Sequence, residues 1–146
     1  EKTFWDVIKL SKAPIICSHS SSMAMCKHDR NLTDEQLKAL AQNGGVAQVC
    51  LLDRYINEDY KNASLTDAIE HIDHMVKVAG IDHVGIGSDF DGGGGIIGCE
   101  SDNDFIQITV KLIEKGYTEE DIAKIWGGNL MRVLDEVQAT ASVKTL

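Results

Sequence analysis

The stretch Pro14-Ile15-Ile16-Cys17-Ser18-His19-Ser20-Ser21 sets the frame for the whole chain: a short apolar run that stops abruptly in polar residues, with a histidine among them. A run that is apolar on successive residues is buried on both faces, as in a parallel sheet covered by helices. Two more runs share this character, Val46 to Leu52 and Val84 to Gly87. Between and around them the periodicity is helical. Phe4-Trp5-Asp6-Val7-Ile8 is helix-like, and Thr33-Asp34-Glu35-Gln36 is a capping box ahead of Leu37, Leu40 and Ala41, in a helix that Asn43-Gly44-Gly45 ends. Ser64 opens another, in which Leu65, Ala68, Ile69, Ile72, Met75 and Val76 form one apolar stripe up to Gly80. A third runs through Phe105, Ile108, Leu112 and Ile113 to Lys115-Gly116, and Thr118-Glu119-Glu120-Asp121 caps a fourth. Gly127-Gly128 separates that one from a last helix through Asn129 and Val137.

Strand alternating with helix predicts an α/β fold with a parallel sheet, either open and doubly wound or part of a closed barrel. Helix-to-strand links are only about three or four residues, whereas the segments after the strands (Ser20 to Leu32, Asp53 to Ala63, Phe90 to Asp104) are about ten or more. In parallel α/β folds the C-terminal strand edge is where sites are built, and the spare length lies there. Three strand-helix units are less than half of an eight-stranded barrel. A barrel therefore makes this chain only its closing portion, with unpaired strand edges when isolated.

Composition narrows the function. The 146 residues are 43% hydrophobic and 25% charged, within the range of one soluble globular unit. A formal charge of −9 disfavours nucleic acid and anionic lipid as partners. No run has the length and apolarity of a membrane span, and no signal segment is seen. Cys17, Cys26, Cys50 and Cys99 show no Cys-x-x-Cys spacing and read as buried free thiols, which suits a reducing compartment without demanding one. The chain opens at Glu1-Lys2-Thr3 without a Met, as if cut from a longer protein.

Two groups stand directly after strands. His19 can ligate zinc or act as a base there, or be a hydrogen-bonded structural residue. Asp89, in Ser88-Asp89-Phe90-Asp91-Gly92, is placed for proton transfer or metal binding, although Asp and Gly also favour plain turns. Gly92 to Gly95 match no phosphate-cradling motif and read as a mobile loop beside the site. Arg30, in the polar loop after His19, is a fork suited to a substrate carboxylate. His71 and His74 have a zinc-chelating spacing but lie on a crossover helix, which predicts a surface or boundary position. His83, ahead of a strand, reads as structural.

Taken together, Ala13 to Ser21, Asp29-Arg30-Asn31-Leu32, His71-Ile72-Asp73-His74 with Val78-Ala79-Gly80, and Val84 to Gly92 resemble the renal (membrane) dipeptidase family, and Gly127 to Leu134 fits it too. The resemblance covers nearly the whole chain, in order. It implies a (β/α)8 barrel with two zinc ions at its C-terminal mouth, residues 1–146 forming the C-terminal part of a single barrel domain. Carried over, His19 matches a zinc ligand, Asp89 the acid/base aspartate and Arg30 the arginine that holds the substrate's terminal carboxylate, with Tyr55 near a substrate-pocket position. The family's His-x-Asp pair, bridging glutamate, earlier histidine and substrate-polarising histidine have no counterpart. The earlier histidine would fall about three residues before Glu1, as the family's spacing implies. Cys26 matches a position that is disulfide-bonded in animal members, but its partner position is not a cysteine. The Gly-rich stretch ending at Cys99 looks bacterial, which would favour a cytoplasmic location.

The implied partners are a dipeptide substrate, the missing N-terminal part of the same barrel and, as an option, a second copy in a homodimer. Two other readings stay open. Asp89 and Asp91 could hold magnesium for phosphoryl transfer in an open α/β sheet, or the chain could be a non-catalytic structural or interaction fragment.

Overall fold

The computed structural model describes residues 2–142. Three strands, β1 (Ile16–Cys17), β2 (Val46–Cys50) and β3 (Val84–Ser88), form one parallel sheet in the order β1-β2-β3. The helices are α1 (Lys2–Leu10), α2 (Asp34–Gln42), α3 (Asp53–Ile56), α4 (Leu65–Ala79), α5 (Phe105–Glu114), α6 (Glu119–Ala123) and α7 (Asn129–Ser142). This is the parallel α/β architecture predicted from the apolar runs, and it corresponds to a portion of a (β/α)8 barrel. The strands are shorter at their ends than the runs suggest: Pro14 and Ile15 lie before β1, and Leu51 and Leu52 leave the ladder after β2. The segment from Asp53 to Ala63 is not an open loop, since it contains α3 and a further helical turn at Tyr60–Asn62.

Three helices, α2, α4 and α6, begin where their capping residues place them. Thr33 Oγ1 accepts the Gln36 N–H at 3.2 Å while Gln36 Oε1 accepts the Thr33 N–H at 2.9 Å, and the same reciprocal pattern opens α4 at Ser64/Asp67 and α6 at Thr118/Asp121. The apolar stripes of α2 and α4 then pack with the sheet. Leu37, Leu40, Val49, Ile72, Met75, Val84, Ile108 and Leu112 are all fully buried in one cluster.

The ends of the sheet are tied differently. At the end where β2 and β3 begin, Asn129 Nδ2 donates to the Ile81 and Val84 carbonyls at 2.7 and 2.8 Å, and Arg132 donates to those of Gly44 and Asp82 at 2.8 and 2.9 Å. The Gly127 to Leu134 motif is thus a staple that satisfies carbonyls at the start of β3 and in the turns before β2 and β3. His83 belongs to the same end and bonds the Gly45 carbonyl at 2.8 Å, a structural role as predicted.

At the opposite end the segments after β2 and β3 are joined by Leu52 pairing with Gly95 and Ser64 with Ile97, while Ser22 pairs with Leu32 inside the loop after β1. Asn31 is buried and fully used: its Oδ1 accepts the Ser21 N–H at 3.1 Å, and its Nδ2 donates to the Cys26 and Tyr55 carbonyls at 2.9 and 2.8 Å. His71 corrects the boundary placement predicted for it. It is 1% exposed, accepting the Ser22 N–H at Nδ1 (3.0 Å) and donating from Nε2 to the Ile56 carbonyl (2.9 Å). Burial holds its pKa below the ordinary histidine value. His74, half-buried, bonds Asp34 at 2.7 Å. With both Nδ1 and Nε2 engaged by backbone groups, His71 joins no metal pair with His74.

Candidate functional site

β1, β2 and β3 run parallel, so His19, Cys50 and Asp89 emerge at the same sheet end from three neighbouring strands. Glycine permits this close assembly. A Cβ on Gly87 would collide with the Ser18 carbonyl, and one on Gly92 with the Asp89 carboxylate. Asp89 itself has φ +70° and Ser88 φ +26°, a left-handed pair at the point where the chain leaves β3. Such conformations persist where the surroundings enforce them. Here the Asp89 carbonyl accepts the Gly92 and Gly94 N–H groups at 3.0 and 2.8 Å, and Gly95 donates to Leu51 at 2.8 Å. The glycine run predicted to be mobile is therefore anchored through its backbone.

A bulge between Val49 and Cys50 shifts the β2–β3 register, pairing Cys50 with Ser88. The shift brings the fully buried Cys50 thiol to 3.7 Å from Asp89 Oδ2, within hydrogen-bond range for sulfur. Burial pushes that thiol up to about 11, the Asp89 charge adds to the rise and the Arg30 charge opposes it. Cys50 is thus the S–H donor and Asp89 the acceptor. Arg30 and Asp89 both act electrostatically on the one sulfur.

Arg30 is the hub of the exposed side. Its Nη2 lies 2.9 Å from His19 Nε2, and its guanidinium carbon is 5.9 Å from the centre of the Tyr55 ring. A guanidinium only donates, so His19 Nε2 accepts. The imidazole proton then sits on Nδ1, 2.8 Å from Ser18 Oγ. His19 is therefore a neutral imidazole with its Nε2 lone pair turned towards a cationic group, the form in which histidine ligates a metal. Three of the residues singled out from sequence, His19, Arg30 and Tyr55, meet through contacts centred on Arg30, whereas Asp89 stands at the same sheet end on the turn after β3 and contacts Cys50. Asp91 is exposed on the turn beyond.

Three contributors escaped the sequence reading. Cys50 reads as one more buried free thiol in its strand, Asn31 enters only within the Asp29-Arg30-Asn31-Leu32 stretch, and His28 is not singled out. All four cysteines are free, so Cys26 forms no bridge among the described residues.

The family model for membrane dipeptidase (peptidase family M19) matches residues 1–146. The chain belongs to this family. It is 41% identical over 143 residues to dipeptidase ataJ of Aspergillus terreus, covering 97% of this chain and 35% of that protein. Against dipeptidase aclJ of Aspergillus oryzae the identity is 37% over 137 residues, covering 92% and 32%. Among solved structures, the probable dipeptidase PvdM from Pseudomonas aeruginosa superposes with a TM-score of 0.88 at 30% identity, covering 94% of this chain and 48% of that one. A Rhodobacter sphaeroides metallo peptidase, liganded with a phosphinate mimic of the dipeptide L-Ala-D-Ala, gives 0.88 at 31% identity, covering 93% and 40%. This M19 chain spans about a third of the length of those curated relatives. They are fungal, so the bacterial origin suggested by the glycine run is not borne out.

The donor set fits a metal in part. His19 offers a neutral imidazole, and a positive group already stands on its lone pair. Among the described residues no cluster of three or more His, Cys, Asp or Glu side chains could hold a metal ion. Nor is any described helix long and apolar enough to cross a membrane.

Proposed function

We propose that this chain provides one side of the active site of a zinc-dependent dipeptidase, with His19 as a metal ligand, Asp89 as the acid/base and Arg30 as the grip on the substrate's terminal carboxylate. The remaining metal ligands come from the N-terminal part of the same barrel, outside these residues. The observation that carries the reading is the bonding of Arg30 to His19 at 2.9 Å at the strand end that also bears Asp89. Support for the substrate class comes from the related Rhodobacter peptidase with its bound dipeptide mimic.

Two zinc ions, when bound, supply Lewis-acid activation of water and of the scissile carbonyl. His19 contributes the Nε2 lone pair, its tautomer fixed by Ser18. His19 Nε2 would hold the metal, and Arg30, whose Nη2 stands 2.9 Å from that atom, would then offer its guanidinium fork to a carboxylate. Bidentate pairing there selects peptides whose terminal carboxylate falls one residue beyond the bond to be cut. The Asp89 carboxylate accepts the proton of the attacking water and returns it to the departing amine. A magnesium-dependent phosphoryl transfer through Asp89 and Asp91 has no such support from Asp91, which lies exposed.

In the full-length zinc-loaded protein, Asp89→Asn should lower dipeptide turnover about 10³-fold with metal content unchanged by elemental analysis. Turnover equal to wild type would remove Asp89 from the mechanism.

A further inference from the structure

His28 touches both substrate-facing residues of this site. Its Nδ1 accepts the backbone N–H of Arg30 at 3.1 Å. Its ring packs on Tyr55 with centroids 4.3 Å apart and planes inclined at 42°. The same Tyr55 ring lies 5.9 Å from the Arg30 guanidinium carbon. His28, Arg30 and Tyr55 therefore form a closed triangle, and His19 is attached to it through Arg30 alone.

A side-chain acceptor at one position that takes the N–H two residues on is the arrangement of an Asx turn, which fixes the backbone of the later residue. His28 builds that turn with an imidazole. Because Nδ1 accepts, the proton of the neutral ring sits on Nε2. Asn31 holds the loop from the other side through the Tyr55 carbonyl, so the position of Tyr55 is shared by two independent contacts. A long arginine side chain loses much rotamer freedom when it grips a ligand, and fixing its backbone and one face beforehand reduces that loss.

We propose that His28 is a positioning residue for the carboxylate grip: it sets the Arg30 backbone and braces the Tyr55 ring, so that the guanidinium fork is held ready for a substrate carboxylate. This rests on the dipeptidase reading. It places His28 in substrate binding and not in the bond-breaking step, so its loss acts on KM and leaves kcat in place.

The test is steady-state kinetics of the full-length zinc-loaded protein on L-Ala-L-Ala or L-Ala-D-Ala, whichever is turned over faster. His28→Ala raises KM about tenfold with kcat within about twofold of wild type. His28→Asn, which keeps the acceptor, and His28→Phe, which keeps the ring, each recover part of the loss. In an Arg30→Ala background the His28→Ala change adds no further rise in KM, because nothing remains to be positioned. An unchanged KM in His28→Ala, a fall in kcat equal to that in kcat/KM, or full additivity with Arg30→Ala overturns the role of His28 alone. A wild-type enzyme that cleaves no dipeptide overturns the dipeptidase reading, and this assignment with it.

Discussion

His71 shows how much of this site depends on one side chain far from the chemistry. It takes a backbone donor from the loop after β1 and gives a proton to a carbonyl after β2, so it fixes the relative height of two loops that carry His19, Arg30 and Tyr55. His71→Ala leaves both backbone groups buried and unpaired, an expected loss of about 3 kcal/mol, read as a lower urea midpoint of the full-length protein. The pH dependence follows from the lowered pKa. The unfolded chain binds a proton on this imidazole more readily than the folded one, so the contribution is complete above about pH 6.5 and is lost as pH falls below it. The stability gap between wild type and His71→Ala should therefore narrow in acid; a gap that is constant from pH 8 to 5 would contradict the neutral buried imidazole. This role was not legible in sequence. His71, Asp73 and His74 read locally as a polar helix face, whereas the partners of His71 lie 49 and 15 residues away. The placement of His19, Asp89 and Arg30 at one sheet end was legible because each sits directly after a strand or in its loop, and parallel strands bring those segments to the same edge.

Elements were read best where local chemistry decides them. The boxes at Thr33, Ser64 and Thr118 place three helix starts because cap and partner lie within one turn. α4 depends on its cap in particular: Ser64 Oγ donates to Asp67 Oδ2 at 2.7 Å, and the same carboxylate oxygen accepts the Ser64 N–H at 2.9 Å. Ser64→Ala should destabilise the full-length protein by about 1 kcal/mol, measurable as a shift in unfolding midpoint, with His71 protection from amide exchange at Ser22 reduced in step. No shift would mean that packing alone holds the helix start. The bulge at Val49/Cys50 had no such local signature. It exists because Leu51 N–H reaches the Ser88 carbonyl at 2.8 Å, a long-range pairing that also delivers Cys50 to Asp89.

At the scale of the molecule, three strands account for three neighbouring positions on one barrel rim, and the described residues supply a single imidazole among the metal ligands the proposed chemistry needs. What they do supply is an electrostatic asymmetry at one sheet end: a cationic fork on the loop after β1 and a carboxylate on the turn after β3, with the buried Cys50 thiol 3.7 Å from that carboxylate. Under the proposed function that asymmetry selects the substrate class, because a fork with no carboxylate to bind gains nothing from its position. The most direct measurement is the ratio of kcat/KM for L-Ala-L-Ala to that for its C-terminal amide, in the full-length enzyme and in Arg30→Ala. The account predicts that wild type prefers the free acid roughly 100-fold and that Arg30→Ala loses most of that preference. Equal treatment of acid and amide by wild type, or a preference that survives the loss of Arg30, would contradict it.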